Sequence, residues 1–362
     1  MRKNKLIVIL GQTSTGKSDF AVKVAKQIDG LNQSKRLVAQ TSRSEVLGEI
    51  ISADSRQVYK GMNLGTGKVP RDKQSPKTKK QKPKTYLYKG VAHHLLDVVS
   101  PTKTFSVSDF QRLANKKIEE IIKRGKVPII CGGTGFYIEA ITNGTIFPEV
   151  PPNKKLREKL YSKSAIVLFE YLEKLDPTRA KAIDKNNKVR LIRAIEIAKA
   201  LGKVPQLNNN IQSNPNATNS AMAEFVAFGQ SSKIDVLKIG LTLPPEIIKE
   251  KIRSRLFVRI REGMIKEVEN LHKNGVSWKR MYELGLEYRY VSEYLKDKST
   301  RLSPRLQRAK KEKMIEELNT AIWHYAKRQK TWFKRDPNII WIDPRKKSSE
   351  TKVLKEIKEF LK

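Results

Sequence analysis

The sequence predicts an α/β protein in which a parallel β-sheet is flanked by helices and carries a helical insertion. Short apolar runs of strand length alternate with segments of helical period, and this alternation is typical of a parallel sheet. It stops between residues 149 and 234, where several helices are followed by a run rich in Asn and Ser. We therefore expect a core domain of residues 1–148 and 235–362 and a helical insertion domain of residues 149–234.

The strands are predicted from continuous apolar runs, which are typical of strands covered on both faces of a sheet. The first run is Lys5–Leu10, and Gly11 follows it directly. Four later runs predict strands at Ile50–Ala53, Val127–Cys131, Val236–Leu243 and Ile339–Ile342.

The helices are predicted from apolar residues spaced three or four apart. Asp19–Ile28 shows this spacing, and Ser106 opens a second helix that ends near Arg124. In the insertion, helices are predicted at Lys155–Leu160, Ile166–Leu175, Pro177–Ile183 and Val189–Leu201. Further helices are predicted at 245–273, 287–296, 304–334 and Thr351–Leu361.

The chain is strongly basic. Its 362 residues include 74 Lys and Arg against 37 Asp and Glu, which gives a formal net charge of +37. Such an excess repels itself unless a polyanion lies near, so nucleic acid is the first expected partner and an anionic membrane surface the second. A lysine-rich genome bias is the alternative explanation.

Composition excludes several classes of protein. The single cysteine, Cys131, excludes a disulfide scaffold and a zinc site made of cysteines. No apolar run approaches the roughly 18 residues of a membrane-spanning helix. The five apolar residues Leu6–Leu10 are too few for the core of a signal peptide. We therefore expect a cytoplasmic protein that does not associate with a membrane.

The strongest local motif follows the first predicted strand. Gly11, Gln12, Thr13, Ser14, Thr15, Gly16, Lys17 and Ser18 match G-x-x-x-x-G-K-[ST] at every fixed position. The glycines let backbone N–H groups surround phosphate oxygens, Lys17 reaches the outer phosphate, and the Ser18 hydroxyl can hold Mg²⁺. We therefore expect a P-loop NTPase-like sheet that binds a diphosphate or a triphosphate, whatever the reaction.

Two other loops follow strands at the edge of the sheet where ligands bind. Asp54 follows the second strand and could be a magnesium ligand, a general base or only a helix cap. Thr134 follows two glycines and presents a hydroxyl at a helix start, which a plain capped turn would also do. Cys131 is expected to be a buried strand residue without a catalytic role.

Basic residues outside these loops are candidates for phosphate contacts. Arg190 and Arg193 share one helix face, which suits phosphates but is also typical of a solvated surface. In the stretch Tyr325–Phe333, lysines and arginines are interspersed with aromatic residues. This pattern is typical of sites that bind single-stranded nucleic acid, but an amphipathic helix would show it too. The basic stretch Lys68–Lys84 is either a nucleic-acid contact or a solvated loop.

Eight motifs in order along the chain together resemble one family, the tRNA dimethylallyltransferases, also called tRNA isopentenyltransferases. These motifs are Gly11–Ser18, Ile50–Tyr59, Gly65–Lys68, His93–Asp97, Phe105–Phe110, Gly132–Tyr137, Arg190–Glu196 and Tyr325–Gln329. The resemblance implies that a dimethylallyl group passes from dimethylallyl diphosphate to N6 of the adenosine just 3′ of a tRNA anticodon, with Mg²⁺. It also places the donor diphosphate, not ATP, in the phosphate loop.

The resemblance also implies roles for individual residues. Asp54 would accept the N6 proton, and Thr134 would assist at the target base or the diphosphate. The flipped adenosine and its neighbours would be held by Ser55, Arg56 and Gln57. Contacts to the tRNA anticodon stem-loop would come from Arg157, Val189, Arg190, Leu191, Ile192 and Arg193. We expect the enzyme to be a monomer.

Some positions depart from the family pattern. Ile322-Trp323 stand where the family usually has Thr-Arg, and Pro244-Pro245 stand near the place of a usual arginine. Two other enzyme classes remain open, an adenylate isopentenyltransferase and a P-loop small-molecule kinase. A non-catalytic RNA-binding protein with a relic phosphate loop is the third alternative.

Overall fold

The computed structural model describes residues 4–32, 47–72, 85–145, 147–205, 234–297 and 303–362. Most of the polar run at 30–48, the basic stretch at 68–85 and the connection at 203–233 lies outside these residues. The chain divides into two compact units, one from Met1–Thr142 and Ala217–Lys362 and the other from Asn143–Asn216.

The larger unit contains a seven-stranded sheet, which confirms the predicted α/β class. The strands are β1 (Lys5–Gly11), β2 (Gly48–Ala53), β3 (Tyr86–Tyr88), β4 (Val91–His94), β5 (Val127–Gly132), β6 (Asp235–Leu241) and β7 (Ile339–Ile342). Their order across the sheet is β3-β4-β2-β5-β1-β6-β7. Every neighbouring pair is parallel except β3 and β4, which form an antiparallel hairpin at one edge.

Helices cover both faces of this sheet. In the larger unit they are α1 (Lys17–Asn32), α2 (Val107–Lys123), α3 (Gly135–Thr142), α8 (Pro245–Arg261), α9 (Met264–Lys273), α10 (Trp278–Leu284), α11 (Leu286–Asp297), α12 (Pro304–Phe333) and α13 (Lys347–Leu361). The smaller unit contains α4 (Lys154–Tyr161), α5 (Ala165–Leu175), α6 (Pro177–Ala182) and α7 (Lys188–Leu201).

The central strand β1 shows why its sequence is apolar without interruption. Ile7 and Ile9 pack into a core cluster with α1 and α13 on one face of the sheet. Leu6, Val8 and Leu10 pack into a second cluster with α2 and α3 on the other face. Because side chains alternate between faces, a strand covered on both sides must be apolar at every position.

A third core cluster joins α8 to α12 and includes Tyr288 and Leu318. Glu267 of α9 holds the turn at 63–65 against this cluster, because it accepts hydrogen bonds from the backbone N–H groups of Asn63, Leu64 and Gly65. The same carboxylate accepts a hydrogen bond from the Tyr288 hydroxyl at 2.8 Å. The helices after β6 therefore fix a loop that leaves the second strand.

The structure differs from the prediction at three places. The hairpin β3–β4 was not predicted, because its three- and four-residue strands are too short to show a clear period. The helix predicted at 245–273 is two helices, since Gly263 has a φ of +102° between them. The short helix α10 was also not predicted; Ser277 caps its start.

In the smaller unit, α4 to α7 enclose a core that includes Leu168, Leu172 and Leu191. Glu196 of α7 is buried beside this core. It accepts hydrogen bonds from the Asn153 backbone N–H and from the Arg157 guanidinium, each at 2.8 Å, and pairs with Arg193 at 3.3 Å. One carboxylate therefore ties α7 to the start of α4.

Among the described residues, the structure contains no helix that is long and apolar enough to cross a membrane.

Glu196→Gln should destabilise the smaller unit. The change leaves Arg157 and Arg193 without a charged partner and should cost about 2 kcal/mol. This is less than the roughly 3–5 kcal/mol of a fully buried pair, because both arginines are partly exposed. Hydrogen exchange of the amides in α5 and α7 measures the loss. The exposed Glu173→Gln on α5 is the control, and equal exchange in both variants would contradict the prediction.

Candidate active site

The phosphate loop lies where the sequence places it, between the end of β1 at Gly11 and the start of α1 at Lys17. Ser14 and Gly16 have φ values of +63° and +87°, so the backbone turns sharply here. Gly11 must lack a side chain, since a Cβ would lie 2.4 Å from the carbonyl oxygen of Leu241. The loop thus sits at the N-terminus of a helix, a position that favours anions.

Lys17 is placed at the floor of this loop. Its ammonium donates a hydrogen bond to the carbonyl oxygen of Gln12 at 2.5 Å. Desolvation lowers the pKa of Lys17 to about 8, with Arg255 adding to the effect while Cys131 and Asp54 oppose it. A cation that has lost water in this way gains much from a bound anion.

Helix α12 holds two of the strand-end loops together through one side chain. The Gln329 amide oxygen accepts a hydrogen bond from the Thr13 backbone N–H at 2.8 Å, and its nitrogen donates to the carbonyl oxygen of Gly133 at 2.8 Å. A Cβ on Gly133 would lie 2.3 Å from that nitrogen. The Gln12 side chain in turn donates to the carbonyl oxygen of Ala326.

Asp54 follows β2, and its two carboxylate oxygens lie in different environments. Its Oδ1 accepts hydrogen bonds from the backbone N–H groups of Arg56 at 2.8 Å and Gln57 at 3.3 Å, so it caps the turn. Next to it, the Thr134 hydroxyl accepts a hydrogen bond from the Ser55 backbone N–H at 3.1 Å. In the part of the chain described, Oδ2 of Asp54 has no hydrogen-bond partner, which leaves it for a ligand.

Two cavities open at this edge of the sheet. The first, of about 770 Å³, surrounds the phosphate loop and includes Lys17, Ser18 and Arg255 in its wall; we call it the loop cavity. The second, of about 840 Å³, lies against α11 and α12 and includes Arg56 and Glu287; we call it the helix cavity.

The two cavities share part of their walls. The residues common to both are Thr13, Asp54, Thr66, Arg259 and Tyr325. Tyr325 lies beside Thr134, and burial raises the pKa of this tyrosine. Two ligands, one in each cavity, would therefore meet at the Asp54 carboxylate and the Tyr325 side chain.

Two arginines of α8 line the cavities, although the sequence did not indicate them as site residues. Arg255 donates a hydrogen bond to the carbonyl oxygen of Gly67 at 3.3 Å, and desolvation together with Arg259 lowers its pKa to about 10. Arg259 forms an ion pair with Glu287 at 3.1 Å. Their spacing of four on one predicted helix was the available signal, and it is weak in so basic a chain.

Other predicted residues occupy different environments. Gln57 faces the loop cavity, and its amide nitrogen lies 3.4 Å from the carbonyl oxygen of Thr66. In α7, Leu191 and Ile192 are buried in the helical core, so their side chains have no surface to offer to RNA. Val189 and Arg190 are exposed. Arg157 and Arg193, described above, are already engaged by Glu196.

The side chains near the loop that could bind a metal ion through oxygen are not clustered. Among the described residues, no group of three His, Cys, Asp or Glu side chains could hold a metal ion. The Ser18 hydroxyl and the Asp54 carboxylate both face the loop cavity. Mg²⁺ bound with phosphates keeps several waters and needs only one or two protein oxygens, so this donor set fits a magnesium ion that enters with a diphosphate.

A parallel α/β sheet whose first strand ends in a phosphate loop places the protein in the phosphate-loop class. Residues 57–336 match the model of the IPP transferase family. The chain belongs to this family.

Similar proteins cover nearly the whole chain. A curated relative, tRNA dimethylallyltransferase 2 of Treponema denticola, is 36% identical over 333 residues, which is 92% of each chain. The crystal structure of the tRNA isopentenylpyrophosphate transferase of Bacillus halodurans has a TM-score of 0.59 and 30% identity, and the match covers 99% of this chain and 96% of that one. A eukaryotic dimethylallyltransferase acting on tRNA shares the fold, with a TM-score of 0.64 and 24% identity over 94% of this chain and 74% of that one.

The lowered pKa of Lys17 predicts how anion binding changes with pH. Below pH 8 the free protein carries the charged ammonium, and above pH 8 it loses this charge, so pyrophosphate affinity should fall roughly tenfold between pH 7 and pH 9. Calorimetric titration with pyrophosphate and Mg²⁺ measures this change. In Lys17→Arg the charge persists, so only the titration of the ligand should remain. The same profile in both proteins would contradict the prediction.

Proposed function

We propose that this protein transfers a dimethylallyl group from dimethylallyl diphosphate to N6 of the adenosine 3′-adjacent to the anticodon in tRNA. The observation that carries the proposal is the meeting of two cavities at Asp54, one beside a phosphate loop and the other beside aromatic and basic side chains. A group transfer between two large substrates needs such an arrangement, with both reacting atoms in contact at one wall.

The donor would occupy the loop cavity. The backbone N–H groups of the phosphate loop, the Lys17 ammonium and Arg255 would bind its diphosphate. When bound, Mg²⁺ would neutralise part of the diphosphate charge, with the Ser18 hydroxyl as its protein ligand. These cations make the diphosphate a better leaving group, because they stabilise the charge that builds on it as the bond to carbon breaks.

The acceptor adenine would enter the helix cavity. The exocyclic amine is a weak nucleophile, since its lone pair is delocalised into the ring. Asp54 would take one N6 proton as the N6–carbon bond forms and the carbon–oxygen bond to the diphosphate breaks. Tyr325, Ser55 and Arg56 line this cavity and would border the base. Thr134 would assist from its place beside Tyr325. The target nucleotide must leave its stack to reach this depth, as it does in other base-modifying enzymes.

The basic character of the chain supports a tRNA substrate. A net charge of +37 suits a polyanion, and the relatives described above are named for activity on tRNA. Arg190, Val189 and the partly exposed Arg157 of the smaller unit are the proposed contacts to the anticodon stem-loop. The proposal keeps the cytoplasmic location and the monomeric state expected from the sequence.

The three alternative functions do not account for both the adjoining cavities and the basic charge of the chain. A small-molecule kinase would also need an acceptor cavity beside its phosphate loop, but it has no need of a net charge of +37, and the chain matches the IPP transferase model over residues 57–336. An adenylate isopentenyltransferase has no need of a basic helical unit, and a non-catalytic RNA-binding protein has no need of Asp54 between two cavities.

The discriminating experiment is incubation with labelled dimethylallyl diphosphate and unmodified tRNA, with AMP and ATP as control substrates. Label on AMP or ATP but not on tRNA would reject the proposal.

Asp54→Asn should slow the chemical step by roughly 10²–10⁴-fold, the usual worth of a general base. Asparagine keeps an oxygen to accept the N–H groups of Arg56 and Gln57, so the melting temperature should hold and both substrates should still bind. Single-turnover transfer at saturating substrates measures the rate. The matched control is Asp184→Asn, because Asp184 accepts the Asn186 N–H in a similar turn outside both cavities. A transfer rate in Asp54→Asn equal to that of the parent would show that Asp54 is not the general base.

Arg190→Ala should reduce the salt dependence of tRNA binding. Each phosphate contact adds about 0.7–0.9 to the slope of log affinity against log salt, so the slope should flatten by about that much. Arg193→Ala should change stability more than the slope, because its guanidinium already binds Glu196 and the carbonyl oxygen of Val150. Filter binding at several salt concentrations measures both variants. An unchanged slope in Arg190→Ala would show that this arginine faces solvent.

A further inference from the structure

Glu287 lies in the wall of the helix cavity, directly after a strained turn of the backbone. Gly285 and Leu286 directly before it have φ values of +75° and +41°. A bulky residue rarely adopts a positive φ, and such strain persists only where surrounding contacts hold it, often at functional sites. The strained turn begins α11 so that Glu287 falls in its first turn.

The carboxylate of Glu287 is almost buried and forms an ion pair with Arg259. Its Oε1 accepts a hydrogen bond from Nη1 of Arg259 at 3.1 Å, and the two side chains are only 12% and 11% exposed. Arg259 also reaches the carbonyl oxygen of Gly65 at 3.4 Å. Desolvation raises the pKa of Glu287, and Arg259 opposes this rise. A carboxylate can accept about four hydrogen bonds, so this one has capacity left for a ligand.

The surroundings of Glu287 are those of the proposed acceptor base. Asp54, Arg56 and Tyr325 line the same cavity. The Asp54 carboxylate contributes to the raised pKa of Glu287, and both carboxylates contribute to the raised pKa of Tyr325. A buried ion pair adds little stability compared with apolar residues of the same size, so its place in a cavity wall calls for another role.

We infer that Glu287 is a specificity-determining residue that accepts a hydrogen bond from the exocyclic amine of the acceptor adenine. The inference rests on the proposed function. The N6 amine has two hydrogens; Asp54 would take one as a proton, and Glu287 would hold the other, which stays on the product. A base with a carbonyl oxygen at position 6 would face the carboxylate with a second acceptor and would be rejected. Arg259 favours the ionised carboxylate and fixes its direction through the hydrogen bond to Oε1, so it is a positioning residue.

The test compares two RNA stem-loops that differ only in adenosine or inosine at the target position. Binding is measured by fluorescence anisotropy with pyrophosphate and Mg²⁺ in place of the donor. The parent protein should prefer adenosine by roughly 10-fold or more, the usual range for recognition of one base edge. Glu287→Gln should lose most of this preference, because the new amide can donate to the inosine oxygen.

The matched control is Glu283→Gln, since Glu283 is an exposed residue of the neighbouring α10 outside the helix cavity. This control should keep the preference of the parent. If Glu287→Gln melts well below the parent, Glu287→Asp is measured instead. It keeps the charge but is one methylene shorter, so the preference for adenosine should again fall. A preference equal to that of the parent in the folded variant overturns the inference.

The outcome for the proposed function is read separately. Transfer of dimethylallyl to the adenosine stem-loop by the parent protein tests that function alone. If transfer occurs but the parent binds the adenosine and inosine stem-loops equally, only the role of Glu287 is rejected. If the parent transfers nothing to the stem-loop or to whole tRNA, the proposed function itself fails.

Discussion

The architecture of the site depends on one side-chain amide, that of Gln329. It bonds the phosphate loop through the Thr13 N–H and the loop after β5 through the carbonyl oxygen of Gly133. The two loops leave the adjacent strands β1 and β5. Because Gln329 belongs to the helix that also carries Tyr325, the same contact positions the wall shared by both cavities. Gly133 allows the close approach of Gln329, since a Cβ there would lie 2.3 Å from the amide nitrogen.

The electrostatics of the site are built on cations that have lost water. Lys17 and Arg255 both have lowered pKa values because burial removes solvent without supplying a full counter-charge. The helices α1 and α8 that carry these two residues pack into the hydrophobic core, and the stability of the core offsets the desolvation free energy of the two cations. A diphosphate would restore the missing stabilisation, so the site is poised for an anion before the ligand arrives. The same logic explains why Glu287 is paired: an isolated buried carboxylate would be neutral instead of charged.

Charge in the smaller unit is used differently from what the residue types suggest. Arg157 and Arg193 look like phosphate contacts in the sequence, but a single carboxylate, Glu196, engages both. The exposed surface of α7 is instead formed by residues such as Val189 and Arg190. In this unit, therefore, two arginines are structural partners of one carboxylate, whereas Arg190 is exposed.

The sequence by itself determined five of the seven strands, the phosphate loop and the residues that follow β2 and β5, because these are local patterns: apolar runs, fixed glycines and polar residues at strand ends. It also indicated the family through eight motifs in order. The tertiary structure alone decided that Gln329 joins two loops, that Arg255, Arg259 and Glu287 line the cavities, and that Leu191 is buried. Such facts depend on which helix face packs against the sheet and on contacts between residues up to about three hundred positions apart, such as Thr13 and Gln329. No local pattern encodes them.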